Sequence, residues 1–131
     1  MTEPEIVYYV GDSGTQYQMN LYNPALTTFF EVPGVYLLCR RAVISGEFRY
    51  EALYAGEAQS LKDRLNTQGS GHDGYKRAVA QGMDRIAAMV VTGGLTERLR
   101  IETDLRHGLN PVCNAQSVPT PTLADLFYPK G

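Results

Sequence analysis

The chain has 131 residues, 44% of them hydrophobic and 20% charged, with a net charge of −2 and a pI near 5.6. That length suits one soluble domain with a real core and leaves no room for two. No apolar run approaches the ~20 residues needed to cross a bilayer, and Glu3 and Glu5 stand where a secretory signal would be basic.

Taken in order, Ile6 to Val10 and Gln16 to Tyr22 flank the turn Gly11-Asp12-Ser13-Gly14 and predict an N-terminal hairpin or two short strands. Tyr8, Tyr9, Tyr17 and Tyr22 make this segment rich in phenols, a pattern better explained by strand packing than by base stacking. Asn23-Pro24 ends it. After Pro33, the run Gly34-Val35-Tyr36-Leu37-Leu38-Cys39 and the run Phe48 to Ala55 are separated by the turn residues Ser45-Gly46-Glu47, and predict a second hairpin. Its first strand folds back beside the end of its second, so Tyr36 and Tyr54 are expected to be neighbours. Ser60 is placed to cap a short helix carrying Lys62, Asp63 and Arg64, with Asp63 near the positive helix end.

The glycine-rich stretch from Asn66 to Gly74 reads as a loop, and a second helix starts at Asp73 or Gly74, with Tyr75, Ala78 and Val79 on one face and Gly82 at its stop. Arg85 to Val91 is a short apolar run expected as a buried central strand. Thr96 is the expected N-cap of a helix from Glu97 to His107, stopped by Gly108 and Pro111. On that helix Glu102 shares a stripe with Leu95, Leu99 and Leu105, so its carboxylate is expected to face the sheet. A carboxylate there is paired, for instance with Arg64, sits partly solvated at the edge of the stripe, or holds a metal. Ser117 to Gly131 forms a proline-containing tail whose cluster Leu123 to Phe127 is expected to pack on its own domain. The expected fold is α/β (α+β): a small central three-stranded, mainly antiparallel sheet flanked by helices, with an N-terminal β-hairpin extension. It divides into an extension (1–32), a core (33–114) and a tail (115–131).

Cys39 and Cys113 lack metal-ligand spacing and read as reduced, buried thiols of a cytoplasmic protein. The 12 basic residues are outnumbered by 14 acidic ones, which weighs against strong non-specific phosphate binding. Arg40-Arg41, Lys62/Arg64, Lys76-Arg77 and Arg98/Arg100 nevertheless leave a local basic face within reach.

Gly34-Val35-Tyr36, Tyr54-Ala55-Gly56, Arg64, and then Glu102 followed by Pro111 and Asn114 occur in an order that resembles the GIY-YIG nuclease family over residues 33–114. The resemblance implies a metal-dependent endonuclease that hydrolyses DNA phosphodiester bonds. Glu102 would hold one Mg²⁺ (or Mn²⁺), a divalent ion that completes its shell with water and phosphate oxygens. Tyr36 would activate the attacking water, with positive charge beside it needed to favour the phenolate. Tyr54 would hydrogen-bond the phosphate or the water, and Arg64 would clamp the phosphate bidentately. Gly34 and Gly56 permit close approach at the strand ends, Lys62 adds phosphate contact, and Asn114 ties the C-terminal loop to the core.

Three features depart from the family pattern. Gln68 stands four residues after Arg64, where a proton-transferring His or Tyr is common, leaving His72 as the candidate general base or phosphate contact. Glu57 follows the second glycine in place of a frequent lysine, and Tyr36 and Tyr54 are widely spaced, consistent with an extended hairpin. The alternative is a catalytically silent module of the same fold that binds nucleic acid or protein. No helix-turn-helix or zinc module accompanies the motifs, which implies low sequence specificity, or targeting through a homodimer or a protein partner.

Overall fold

The structure, a computed structural model, describes residues 2–66 and 72–114. Gln68 and the tail from residue 115 onward lie outside the described residues. Strand β1 (Ile6–Val10) and strand β2 (Gln16–Tyr22) pair antiparallel, with Tyr8 opposite Gln18. Along β2 the alternation is strict: Tyr17 and Met19 point inward while Gln16, Gln18 and Asn20 face solvent. The second hairpin joins β3 (Gly34–Ile44) to β4 (Glu47–Ala58). Its turn residues Ser45 and Gly46 both have positive φ, 53° and 77°, the handedness that matches the twist of the flanking strands.

Strand β5 (Arg85–Val90) lies between β2 and β3, giving the antiparallel order β1-β2-β5-β3-β4. The expected three strands β3, β4 and β5 are present, and the N-terminal hairpin extends them to five by pairing Asn20 to Tyr22 with Ala88 to Ile86. The sheet is covered on both faces. One face carries α1 (Leu61–Leu65) and α2 (Asp73–Ala80), with a core of Tyr36, Leu38, Leu53, Tyr75, Ala78 and Ile86. The other carries α3 (Gly94–Leu109) over Val35, Leu37, Cys39, Ala55, Ile101 and Leu105. Double coverage explains why Gly34 to Cys39 is buried at every position and reads as an unbroken apolar run rather than an alternating one.

The helices start largely where their capping residues place them. Ser60 Oγ accepts the Asp63 N–H at 3.2 Å. On α2, Tyr75 and Ala78 are buried but Val79, expected beside them, is exposed.

Helix α3 corrects two expectations. It begins at Gly94 with no side-chain cap rather than at Glu97 behind Thr96, and it runs through Gly108 to a left-handed Asn110. Gly108 stays helical because it packs against the Gly11 and Asp12 backbone, where a Cβ would come within 2.6 Å, while Asp12 N–H donates to the Asp104 carbonyl at 2.9 Å. The inward stripe is Arg98, Ile101 and Leu105, whereas Leu95 and Leu99 are exposed. Both cysteines are free and buried. Among the described residues no helix is long and apolar enough to cross a membrane.

Candidate active site

The register of β3 and β4 places Tyr36 opposite Gly56 and, two residues along, Leu38 opposite Tyr54. Tyr36 and Tyr54 therefore stack on one face of the sheet, with ring centroids 6.2 Å apart. Gly56 makes this possible: a Cβ there would sit 2.5 Å from the Tyr36 hydroxyl oxygen. Gly34 has the same character, since a Cβ would meet the Met89 carbonyl oxygen at 2.3 Å. Both glycines are close-approach positions, as expected.

His72 completes the cluster. It is fully buried as the N-cap of α2, its ring set edge-on to Tyr54 at 5.1 Å and to Tyr36 at 6.0 Å. Its Nδ1 accepts the Tyr75 backbone N–H at 3.1 Å, and its Nε2 lies 2.6 Å from the Tyr36 hydroxyl oxygen. A neutral imidazole that accepts at Nδ1 carries its proton on Nε2. The hydrogen-bond network thus assigns His72 as the donor to the Tyr36 oxygen, and leaves it no free lone pair with which to act as a general base there.

Charge in the cluster follows from burial. His72 is lowered to about 4 by burial and by the nearby cations Arg64 and Arg77, so it is neutral at neutral pH. Tyr36 is raised above the ordinary phenol range, first by burial and then by Tyr54, with the Arg64 guanidinium pulling the other way. Arg64 supplies the expected positive charge, but burial outweighs it.

Arg64 is exposed on α1 and lines an open cleft of about 700 Å³ with Glu31, Glu57, Gln59, Ser60 and Asp63. Lys62 lies on the exposed side of the same helix. Asn114 ties the C-terminal loop to the site strand: it accepts the Ala55 N–H at 2.6 Å and donates to the Ala55 carbonyl at 2.9 Å. Cys113 N–H donates to the Leu53 carbonyl at 2.8 Å. Because β4 is an edge strand, these bonds occupy backbone groups that would otherwise stand unpaired.

Glu102 stands apart from this cluster. It sits on α3, across the sheet from Tyr36, with its side chain 13% exposed. Arg106 Nε lies 3.3 Å from each of its oxygens, so its partner is Arg106 rather than Arg64. The structure brings Tyr36, Tyr54 and His72 together with Arg64 close by. Among the described residues it shows no contact between Glu102 and that group. One turn before Glu102, Arg98 pairs with Glu57 of β4, with Nε 3.7 Å from a carboxylate oxygen. Arg98 was missed as a site candidate. The sequence marks it only as part of a basic pair with Arg100, a pattern shared by many solvated helix arginines.

No protein-family model matches the chain, and no curated protein matches it significantly. Among solved structures it resembles the crystal structure of the GIY-YIG N-terminal endonuclease domain of UvrC from Thermotoga maritima, a point mutant bound to its catalytic divalent cation. The TM-score is 0.50 at 23% identity, over 65% of this chain and 84% of that one. The likeness is one of fold.

Proposed function

We propose that this chain is a metal-dependent endonuclease that hydrolyses DNA phosphodiester bonds. The observation that carries the reading is the cluster of Tyr36, Tyr54 and His72 with the Arg64 guanidinium against both phenols, in a fold like that of a GIY-YIG endonuclease domain. Arg64 offers a planar pair of donors for phosphate oxygens and positive charge for the transition state. Tyr54 presents a phenol to the same phosphate. Tyr36 is the proton-accepting group for the attacking water once it is a phenolate, and two groups of this chain favour that form: the His72 Nε2–H donated to its oxygen and the Arg64 guanidinium. His72 is thus a positioning residue that donates, rather than a base.

A carboxylate held by one guanidinium at 3.3 Å suits Mg²⁺ or Mn²⁺, which accept one carboxylate and fill the remaining positions with water. Glu102 is the residue that would hold it. When bound, the ion supplies charge stabilisation to the leaving oxygen. Supercoiled plasmid at low salt tests the reading. Nicking that requires Mg²⁺ or Mn²⁺, stops in EDTA and is lost in Arg64→Ala supports it, whereas nicking equal in Arg64→Ala and wild type contradicts it.

A second reading, a catalytically silent nucleic-acid-binding module, is favoured by the pairing of Glu102 with Arg106 and by the acidic Glu57 in the cleft. A folded wild type that binds duplex DNA without cutting it under any divalent metal would select that reading.

A further inference from the structure

We propose that a pocket beside the tyrosine cluster receives one unstacked pyrimidine base of the substrate strand, with the exposed ring of Phe30 as its stacking platform. The proposal rests on the phosphodiester reading above and adds a base-binding site to it. The pocket holds about 140 Å³, close to the apolar cavity volume that accepts a benzene ring, so it suits one six-membered heterocycle. Its floor is β5, where Ala88 lies opposite Tyr36 in the β3–β5 register and belongs to the same packed face of the sheet. Its wall is the segment before β3: Phe30 and Val32 line the pocket, while Glu31 between them lines the cleft that holds Arg64. Pocket and cleft are thus one wall apart, and a single strand can lie across both.

The chemistry of the walls selects the ligand. None of the residues lining the pocket is charged, which favours a neutral group over a phosphate or a cation. Phe30 is 81% exposed and Val90 56%, an apolar area left open to solvent. The Phe30 carbonyl accepts the Val32 N–H at 2.8 Å and the Lys62 N–H at 3.1 Å, so the ring stands on backbone tied to α1. A firmly mounted, open aromatic face is what a nucleobase stacks on. Polar groups for a base edge are also present. Asn20 donates one long bond, 3.4 Å, to the Tyr22 hydroxyl oxygen, and its carboxamide oxygen has no partner among the described residues. One amide can thus offer an acceptor and a donor to the edge of a base. An apolar slot with a few convergent polar groups is the usual form of a small-ligand site. Lys62 follows the pocket residue Leu61 and is exposed on the same helix, a cation for the backbone of a strand entering there.

The chain contains no tryptophan, so Phe30→Trp places a single fluorophore on the platform. Oligo-dT in EDTA is expected to quench it, and an abasic strand of equal length is not. Phe30→Ala should bind oligo-dT about tenfold more weakly than wild type, with the salt slope unchanged because no phosphate contact is removed. Wild type should bind oligo-dT more tightly than oligo-dA, and equal affinity overturns the assignment to a pyrimidine. Equal affinity of Phe30→Ala and wild type for oligo-dT, or equal quenching by the abasic strand, overturns the base pocket; plasmid nicking by wild type then leaves the nuclease reading standing. If adding Phe127→Ala to Phe30→Trp changes the fluorescence without DNA, the chain's own C-terminal segment fills the pocket and the proposal falls. If oligo-dT quenches the fluorophore but no metal supports cleavage, the base pocket stands and hydrolysis fails. If wild type neither binds oligo-dT nor nicks plasmid, both readings fall together. Phe30 is exposed, so both substitutions at it remove little packing, and circular dichroism matching wild type checks that each variant is folded.

Discussion

His72 does two things with one ring. Its Nδ1 caps α2 and its Nε2 holds the Tyr36 oxygen, so the local fold and the state of the phenol are linked through one side chain. The linkage has a definite sign. The unfolded chain binds a proton on this histidine near its ordinary 6.5, whereas the folded chain resists it until about 4. Between those values the unfolded state holds more protons, so stability is present above pH 6.5 and is lost as pH falls toward 4. Urea unfolding across this range should show that loss, and His72→Asn, which keeps a capping acceptor, should flatten it; an unchanged slope contradicts the assignment. Glu3 is separable, because hydrogen bonding to Arg85 lowers it to about 2, so its contribution fades only below pH 4.5. Tyr36 makes the complementary prediction for catalysis. Burial disfavours its phenolate, so the cleavage rate should rise with pH from 7 to 9, by up to about tenfold per unit, and Tyr36→Phe should abolish cleavage at every pH. A flat profile in the wild type would remove Tyr36 from the role of base.

The element that organises the site is β4, an edge strand whose backbone is completed by a loop instead of a neighbouring strand. Asn114 meets both polar groups of Ala55, the residue between Tyr54 and Gly56. Asn114→Ala leaves a buried N–H and C=O without those bonds and should cost roughly 2–4 kcal/mol in denaturant unfolding. Gly56→Ala drives a methyl into the Tyr36 ring and should cost about 1–3 kcal/mol while weakening activity further than stability. The hairpin that builds this edge was legible because its signals are local: turn residues at Ser45-Gly46 and apolar runs on either side. Helix α3 was less legible. Its C-terminal end depends on Gly108 meeting the Gly11–Asp12 backbone, a contact far away in sequence. Its inward stripe was misread because Leu95 and Leu99 satisfy the same period as the true stripe, which contains a buried arginine. Periodicity ranks faces by apolar content, and an inward cation defeats that ranking.

At the scale of the molecule, the sheet sets Tyr36 and Tyr54 on one face and α3, with Glu102 and Arg98, on the other. The tyrosine cluster was legible because hairpin geometry alone brings Tyr36 and Tyr54 together. The donor role of His72 was not, since it depends on which ring nitrogen caps a helix. The partner of Glu102 was expected to be Arg64, whereas the i,i+4 spacing to Arg106 on the same helix carried the pairing that the structure shows. Removing Glu102 takes away its ion pair with Arg106 and leaves the buried stripe of Arg98, Ile101 and Leu105 in place, so Glu102→Ala should stay folded. Plasmid cleavage by Glu102→Ala beside wild type, in Mg²⁺ and at equal helix content, is therefore the most direct test of metal-dependent hydrolysis. The account predicts cleavage by wild type and none above background in the variant. Full cleavage by Glu102→Ala would contradict it.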